Sequence, residues 1–466
     1  MIKQNMKFRF VKISLLLLTI TGYLSQIKAQ NNLTLYNMHT SPQRILMNPA
    51  QSSDSRFFIG FPGFSSVHFL YGNNGFKLKN IVSVNDSNQL VVSPTNFYNS
   101  LNKNNSLNLN VNYDILYFGF KARKSFFTIG IGEKVKTQFS FPKDFFGLLI
   151  IGNAGSNLGK DLNFNFGYDL IAYNDINASW SRAFMKDKLR LGVKVSYLNG
   201  WANINTEKSD LIFNTHSEDF HYTARTDIKV NTSGIVDSKN EPLIKDGNFD
   251  INTFKKRNQG MGLSLGASFK PIPKVELSAS IIDMGYINWK DNVRNYVTED
   301  PSKTVEFYGV DFKTFFKDSV NFDKTLEDIL DTMQMKFKIR ESSESYRTFL
   351  PTNFYLGGNF WITKRHNFGI LFYGNYYQKK LNPAVTISYN GKLTRVLGLS
   401  VSYSMINKSF VNGGIGFTLN GGPFQYYMVA DNLLGIIFYR NMNTVDLRMG
   451  MNFTFLRKDK KTSKVN

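Results

Sequence analysis

The chain has 466 residues and a formal net charge of +21, and 15% of its residues are aromatic, with 42 Phe and 23 Tyr. It contains no cysteine, which excludes disulfides, thiolate metal ligands and cysteine nucleophiles. Its stability must therefore come from hydrogen bonding and burial alone. Phenylalanine is more abundant than an ordinary soluble domain requires, and this excess has to be explained by the fold.

The first segment, residues 1–29, has the three parts of a secretory signal peptide. Basic residues such as Lys3 and Lys12 precede an apolar run at residues 13–24, and Ala29 provides a small residue at the cleavage site. An apolar run of about twelve residues is too short to span a bilayer as a helix. Cleavage removes five basic residues and leaves a net charge of about +16. This charge predicts either an attraction to anionic lipids or ligands, or a generic basic surface, and we expect no nucleic-acid partner for an exported chain.

Alternation of apolar and polar residues dominates the rest of the chain, for example at residues 107–115, 189–197, 261–269 and 397–404. Such alternation predicts strands with one apolar and one polar face. The segments are long enough to cross a membrane as tilted strands, which predicts a transmembrane antiparallel β-barrel over residues 56–456. Twelve or sixteen strands remain alternatives to fourteen. The fourteen predicted strands are 57–71, 106–121, 125–140, 167–184, 189–202, 260–270, 274–289, 349–362, 367–379, 383–390, 395–405, 410–420, 424–431 and 444–456.

The links between these strands are short and long by turns. Short links at residues such as 122–124 and 271–273 alternate with long ones such as 203–259 and 290–348. Outer-membrane barrels have short periplasmic turns and long extracellular loops. The alternation therefore predicts that both termini are periplasmic and that the protein lies in the cell outer membrane. A soluble secreted β-sandwich adhesin is the alternative, and it would fractionate without detergent.

The last predicted strand alternates over residues 445–455 and ends in aromatic residues. It resembles the signal that the outer-membrane assembly machinery reads, so we expect that machinery as a partner, together with membrane lipid and lipopolysaccharide. An ordinary closing strand is the alternative. A basic tail, residues 457–466, follows it.

Two further motifs resemble a known superfamily. Asn48-Pro49-Ala50, at the end of residues 36–50, is similar to the N-terminal box of FadL-type fatty-acid channels and their PorV-type relatives. Residues 422–432 resemble the closing strands of PorP/SprF-like barrels of Bacteroidota, and residues 283–289 resemble a mid-barrel segment. The order of these motifs resembles an uncharacterised Bacteroidota branch. The resemblance implies that residues 30–55 form a plug within the lumen, with Asn48, Pro49 and Ala50 as its site residues.

Sequence motifs for chemistry are not evident. The chain has no nucleophile elbow, P-loop or zincin pattern, so we expect no enzyme activity and no cofactor. His216 and His221 are five residues apart in a polar segment, which favours solvated loop residues over a metal site. Helical spacing of Leu326, Ile329, Leu330 and Met333 predicts a short amphipathic helix in the 290–348 loop. This helix is either a lid or partner face, or it simply covers its own apolar side.

Two functions fit these features. The first is a plugged barrel that passes or binds a small hydrophobic ligand, captured by the extracellular loops and moved past the Asn48-Pro49-Ala50 box. The second is a scaffold that transports nothing and serves a secretion, gliding or surface-assembly complex, with a secretion-system component or a surface lipoprotein as its partner.

Overall fold

The structure is a computed structural model that describes residues 32–84, 89–152, 157–235, 258–307, 336–406, 412–433 and 443–456. Three predicted features lie outside the described residues. These are the signal peptide at residues 1–29, the loop helix with Leu326, Ile329, Leu330 and Met333, and the basic tail at residues 457–466. Over the described ranges, no helix combines the length and apolarity needed to cross a membrane.

The described residues are mostly β-strand, with a few short helices. The helices are α1 (Leu33–Tyr36), α2 (Leu78–Ile81), α3 (Pro94–Ser100) and α4 (Lys143–Ile150), and a 3-10 helix spans Pro42–Leu46. The strands are β1 (Ser55–Gly60), β2 (Ser66–Asn73), β3 (Val82–Val84), β4 (Leu90–Val92), β5 (Asn104–Ala122), β6 (Ser125–Pro142), β7 (Asp161–Asn163), β8 (Gly167–Phe184), β9 (Leu189–Thr215), β10 (Tyr222–Ser233), β11 (Gln259–Ile272), β12 (Val275–Trp289), β13 (Val293–Thr298), β14 (Thr304–Phe307), β15 (Ile339–Ser342), β16 (Tyr346–Phe349), β17 (Thr352–Trp361), β18 (His366–Tyr377), β19 (Lys380–Lys392), β20 (Leu397–Ile406), β21 (Gly413–Gly421), β22 (Phe424–Ala430) and β23 (Thr444–Leu456).

The barrel wall has fourteen strand positions, which close into one antiparallel sheet. β1 and β2 occupy the first position together, because each pairs with β5 on one side and with β23 on the other. The remaining positions follow in the order β5, β6, β8, β9, β11, β12, β17, β18, β19, β20, β21, β22 and β23. Closure leaves this sheet without an unpaired edge. The predicted fourteen-strand barrel is confirmed, and the sandwich alternative is excluded.

The two faces of the wall differ as the alternation predicts, with the apolar face outward. On β20, Val401 and Tyr403 are 46% and 44% exposed, whereas Ser400, Ser402 and Ser404 are buried. A soluble domain would bury the apolar set. Here the exposed set covers the outer wall, which suits a hydrocarbon solvent. The polar set lines the lumen, where it can find partners.

Short turns lie at one end of the barrel, which we call the tight-turn end. They join β5 to β6, β8 to β9, β11 to β12, β17 to β18, β19 to β20 and β21 to β22. The start of β1 and the end of β23 lie at this same end. The opposite end, the long-loop end, carries all the long connections. It also has one tight turn, at Gln378 and Lys379, where both residues have positive φ as expected of a two-residue hairpin.

The first predicted strand, 57–71, is broken in the structure. The five residues Phe61-Pro62-Gly63-Phe64-Ser65 separate β1 from β2. Pro62 has no N–H to donate to the ladder, and Gly63 adopts a φ of 75°, which is costly for other residues. The chain turns aside for five residues and then resumes the same wall position.

Parts of two predicted loops, 203–259 and 290–348, form strands instead. β9 is 27 residues long and continues past the wall to pair with β10. β10 also pairs with β13 and β14, and β13 pairs with β15. These strands extend the sheet beyond the long-loop end, and we call them the sheet extension.

Trp289 does not face the outer wall. It does lie at a strand end, but its side chain is fully buried on the inner side, among Tyr173, Leu198 and Ile287. Its indole nitrogen donates to Thr348 Oγ1 at 2.8 Å. β16 pairs with this end of β12, and Val293 of β13 packs in the same cluster, whereas Trp180 is 41% exposed on the outer wall.

Candidate functional site: the lumen and its inner segment

The chain before β1 enters the barrel. Residues 32–54, here called the inner segment, are almost entirely buried, and they touch strands from opposite sides of the wall. The inner faces of the wall strands carry hydroxyl and amide groups, and these form hydrogen bonds with the polar atoms of the inner segment. The predicted plug residues Asn48, Pro49 and Ala50 all belong to it.

The first part of the inner segment is held by two charged side chains. Asp431, just after β22, accepts hydrogen bonds from the backbone N–H groups of Leu33 and Thr34 at 2.7 and 2.8 Å. Arg448 donates to Asn32 Oδ1 at 2.7 Å. Burial and the nearby Asp446 carboxylate raise the pKa of Asp431 to about 6, so this anchor is ionised only near neutral pH and above.

The middle of the inner segment is held by Tyr36. Its ring stacks on Tyr355 with 5.2 Å between centroids. Its hydroxyl accepts a hydrogen bond from Asn48 Nδ2 at 3.2 Å and shares a hydrogen bond with Ser278 Oγ at 2.9 Å. Burial raises the pKa of Tyr36, so the phenol stays protonated and keeps this donor. Full burial of an aromatic side chain of this size contributes about 2–3 kcal/mol.

The Asn48-Pro49-Ala50 box lies near the tight-turn end. Asn48 Oδ1 accepts from the Ala50 N–H at 2.9 Å, which closes a local turn, and its Nδ2 lies 3.3 Å from Ala279 O. Gly192 and Gly266 face the box from β9 and β11. A methyl group on Gly192 would lie 2.3 Å from Pro49 backbone atoms, and one on Gly266 would lie 2.1 Å from Asn48 Oδ1. Only glycine permits so close an approach.

Charged residues line the lumen above the inner segment. Lys134 pairs with Asp175 at 2.7 Å, and Lys194 pairs with Asp283 at 3.0 Å. Asp283 has a φ of 63° at an irregularity in the pairing of β11 with β12, and this turns its carboxylate toward both lysines. Two polar cavities of about 70 Å³ each remain in this region. Sequence reasoning missed this network, since only closure of the barrel brings β6, β8, β9 and β12 together.

An apolar hollow lies on the outer wall of the barrel. This feature, here called the wall groove, has a volume of about 720 Å³. Its sides are formed by large apolar side chains, those of Leu265, Phe354, Leu356 and Phe372. Its floor is formed by small residues such as Ala279. Behind the floor, Ser280 Oγ donates to Met47 O of the inner segment at 2.7 Å. The wall groove and the inner segment therefore share the same strands.

The two histidines that the sequence assigns to solvated loop positions lie at the tip of the β9–β10 hairpin. His216, Asp219 and His221 have potential ligand atoms within 4.8 Å of one another. The imidazoles stack with centroids 4.0 Å apart, and His221 Nδ1 is 2.5 Å from Asp219 Oδ1. The ring planes are nearly parallel, so their in-plane lone pairs do not converge on a single point in this conformation.

A closed antiparallel barrel with an apolar outer wall and a polar lumen is the architecture of a transmembrane β-barrel. Within this class, the chain belongs to the family described as Family of unknown function (DUF5723), whose profile matches residues 49–431. A search of curated proteins gives no match.

Several solved structures resemble this chain in fold. The Pseudomonas putida toluene transporter TodX is 8% identical, with 90% of this chain and 96% of that chain covered and a TM-score of 0.43. A Pseudomonas aeruginosa FadL homologue is 10% identical, with coverage of 89% and 94% and a TM-score of 0.41. The Ralstonia pickettii toluene transporter TbuX is 8% identical, with coverage of 90% and 95% and a TM-score of 0.41.

Proposed function

We propose that the protein is an outer-membrane barrel whose lumen is closed by the inner segment as a plug. Exposed apolar side chains on the whole outer wall support a membrane location. Clustering of the short turns at one end supports a periplasmic position for both termini. The aromatic end of β23, with Phe453 and Phe455, is the segment offered to the assembly machinery.

The ligand we propose is a small apolar molecule held in the wall groove. The observation that carries this proposal is the volume of about 720 Å³ with an apolar lining, a size typical of ligand sites. The lumen cavities of about 70 Å³ are too small and too polar for such a molecule. A molecule in the groove would lie against the strands that hold Met47, so its passage requires the inner segment to move.

Filling the floor of the wall groove tests this ligand proposal. Ala279→Phe places a ring in the groove, and we expect roughly tenfold weaker binding of the apolar fluorophore N-phenyl-1-naphthylamine, since overfilling a packed site excludes its occupant. Ala178→Phe is the matched control, because Ala178 is exposed on the outer face of β8, outside the groove. Binding would be followed by fluorescence titration of purified protein in detergent. Equal affinities for both variants would contradict a ligand site in the groove.

A scaffold remains a second candidate, and the sheet extension is the observation that favours it. β9, β10 and β13 to β15 project a paired sheet past the long-loop end, and this sheet offers a surface for a partner. Cross-linking in native outer membranes, followed by purification, separates the two functions. A stoichiometric partner lost on removal of residues 205–230, together with no bound apolar molecule, would favour the scaffold.

A further inference from the structure

The tight-turn end of the barrel opens into a vestibule of about 470 Å³. Its walls come from the turns after β5, β8 and β17, the adjoining ends of β11 and β12, and the inner segment. Eight lysine and arginine side chains line it against three carboxylates, those of Asp54, Asp187 and Glu276. This surplus of positive charge is concentrated in one concave site, where low-dielectric walls strengthen it.

The inner wall of the vestibule holds a buried arginine. Arg44 is only 4% exposed. Its Nε donates to Gln51 Oε1 at 2.5 Å, and its Nη1 contacts His39 Nδ1. Burial and the adjacent guanidinium of Arg44 lower the pKa of His39 well below its usual value, so the imidazole is neutral. Its Nδ1 therefore accepts from Arg44, which leaves the proton on Nε2.

Three N–H donors in this cluster are unsatisfied. Arg44 Nη2, Gln51 Nε2 and His39 Nε2 are buried and find no hydrogen-bond partner anywhere in the described parts of the chain. A buried donor without a partner costs about 1–3 kcal/mol, and more when it is charged. Glu276 is the nearest buried acid, but its carboxylate is engaged by Ser268 Oγ at 3.0 Å and Lys270 at 3.5 Å. The oxygens of an added oxyanion would accept hydrogen bonds from these three donors.

We propose that this vestibule binds a phosphate group, with Arg44, Gln51 and His39 as the inner donors and the turn lysines as the outer ones. A planar guanidinium edge and several ammonium groups suit a negatively charged tetrahedral phosphate group. Two sources share this chemistry. One is free inorganic phosphate, and the other is the headgroup of an anionic phospholipid in the leaflet beside the tight turns. The proposal is independent of the ligand in the wall groove.

The test neutralises exposed vestibule cations on three separate turns. The vestibule variant is Lys124→Gln, Lys188→Gln and Lys364→Gln, all exposed and lining the cavity. The control variant is Lys186→Gln, Lys274→Gln and Arg395→Gln, which makes the same charge change at the same end, outside the cavity. In one arm, full-length protein in zwitterionic detergent is titrated with inorganic phosphate by calorimetry. In the other, protein in phosphatidylcholine nanodiscs with or without phosphatidylglycerol is assayed for retained lipid by native mass spectrometry.

We expect saturable binding in at least one arm, weakened about tenfold or more in the vestibule variant and by less than about twofold in the control. Gln51→Glu should weaken it similarly, because the new carboxylate pairs with Arg44 from within. Binding in the phosphate arm identifies a free anion, and binding only in the lipid arm identifies a headgroup. Absence of binding in both arms, or equal weakening by the two triple variants, would overturn the proposal.

Discussion

Deletion of residues 32–52 should convert a closed barrel into an ion-conducting pore. The inner segment is buried against the polar inner faces of the wall, and its removal exposes those faces to water. Barrels of about eight strands are filled by their own side chains, whereas those of roughly 16 to 18 leave an aqueous channel. A fourteen-strand barrel is closer in size to the barrels that leave an aqueous channel. We therefore expect the single-channel conductance of the deletion variant to be at least about tenfold above that of the intact chain.

Planar-bilayer recording measures this effect directly. Deletion of residues 457–466 is the control, since it also shortens a terminus but removes no described contact. Both variants must first show the heat-modifiable gel mobility of a folded barrel. If the variant lacking residues 32–52 folds but conducts no more than the intact protein, the inner segment does not close the lumen.

Two added methyl groups should loosen the inner segment without deleting it. Gly192→Ala and Gly266→Ala place Cβ atoms 2.3 Å from Pro49 and 2.1 Å from Asn48, on two adjacent wall strands. At Gly192 the contact cannot be relieved by rotating a side chain, because the atoms met there are backbone. At Gly266 the backbone nitrogen of Ala50, 2.9 Å away, lies just behind the Asn48 side chain. The box must move away from the wall. Overpacking of this kind costs about 1–3 kcal/mol per site, which is enough to populate a displaced segment.

The expected readout for this double variant is intermittent opening in bilayer recordings, with a lower thermal midpoint. Gly358→Ala combined with Gly421→Ala is the matched double control. A methyl group on Gly358 meets its nearest neighbour at 3.5 Å, and one on Gly421 meets nothing within 4 Å. The control should stay closed. Indistinguishable traces from the two double variants would show that the close approach at the box has no part in closure.

The strand count followed from sequence because a membrane barrel requires alternation on every strand. The outer residues of β20 show this, since Val401 and Tyr403 must be apolar in lipid while Ser402 faces the lumen. The sheet extension was not predicted. In the part of β9 that extends past the wall, neighbours such as Ser209 and Asp210 are both polar, so the sequence shows no alternation there.

The anchors of the inner segment were equally beyond sequence reasoning. Asp431 and Thr34 are 397 residues apart, and their contact exists only because the barrel closes around the segment. The resemblance of Asn48-Pro49-Ala50 to a plug box predicted a segment within the lumen. It did not indicate Arg448 or Gly266, whose roles depend on register between strands that are distant in sequence.

The central claim is that the inner segment lies within the lumen of the assembled barrel. A disulfide tests it most directly, because the chain has no cysteine of its own. Thr34 Oγ1 and Ser402 Oγ are 2.7 Å apart, so Thr34→Cys with Ser402→Cys should form a disulfide under mild oxidation in intact outer membranes. Thr34→Cys with Ser181→Cys, on β8 at a distant wall position, should not. Efficient cross-linking of the first pair alone supports the claim, whereas no cross-link in the first pair, or equal cross-linking of both, would contradict it.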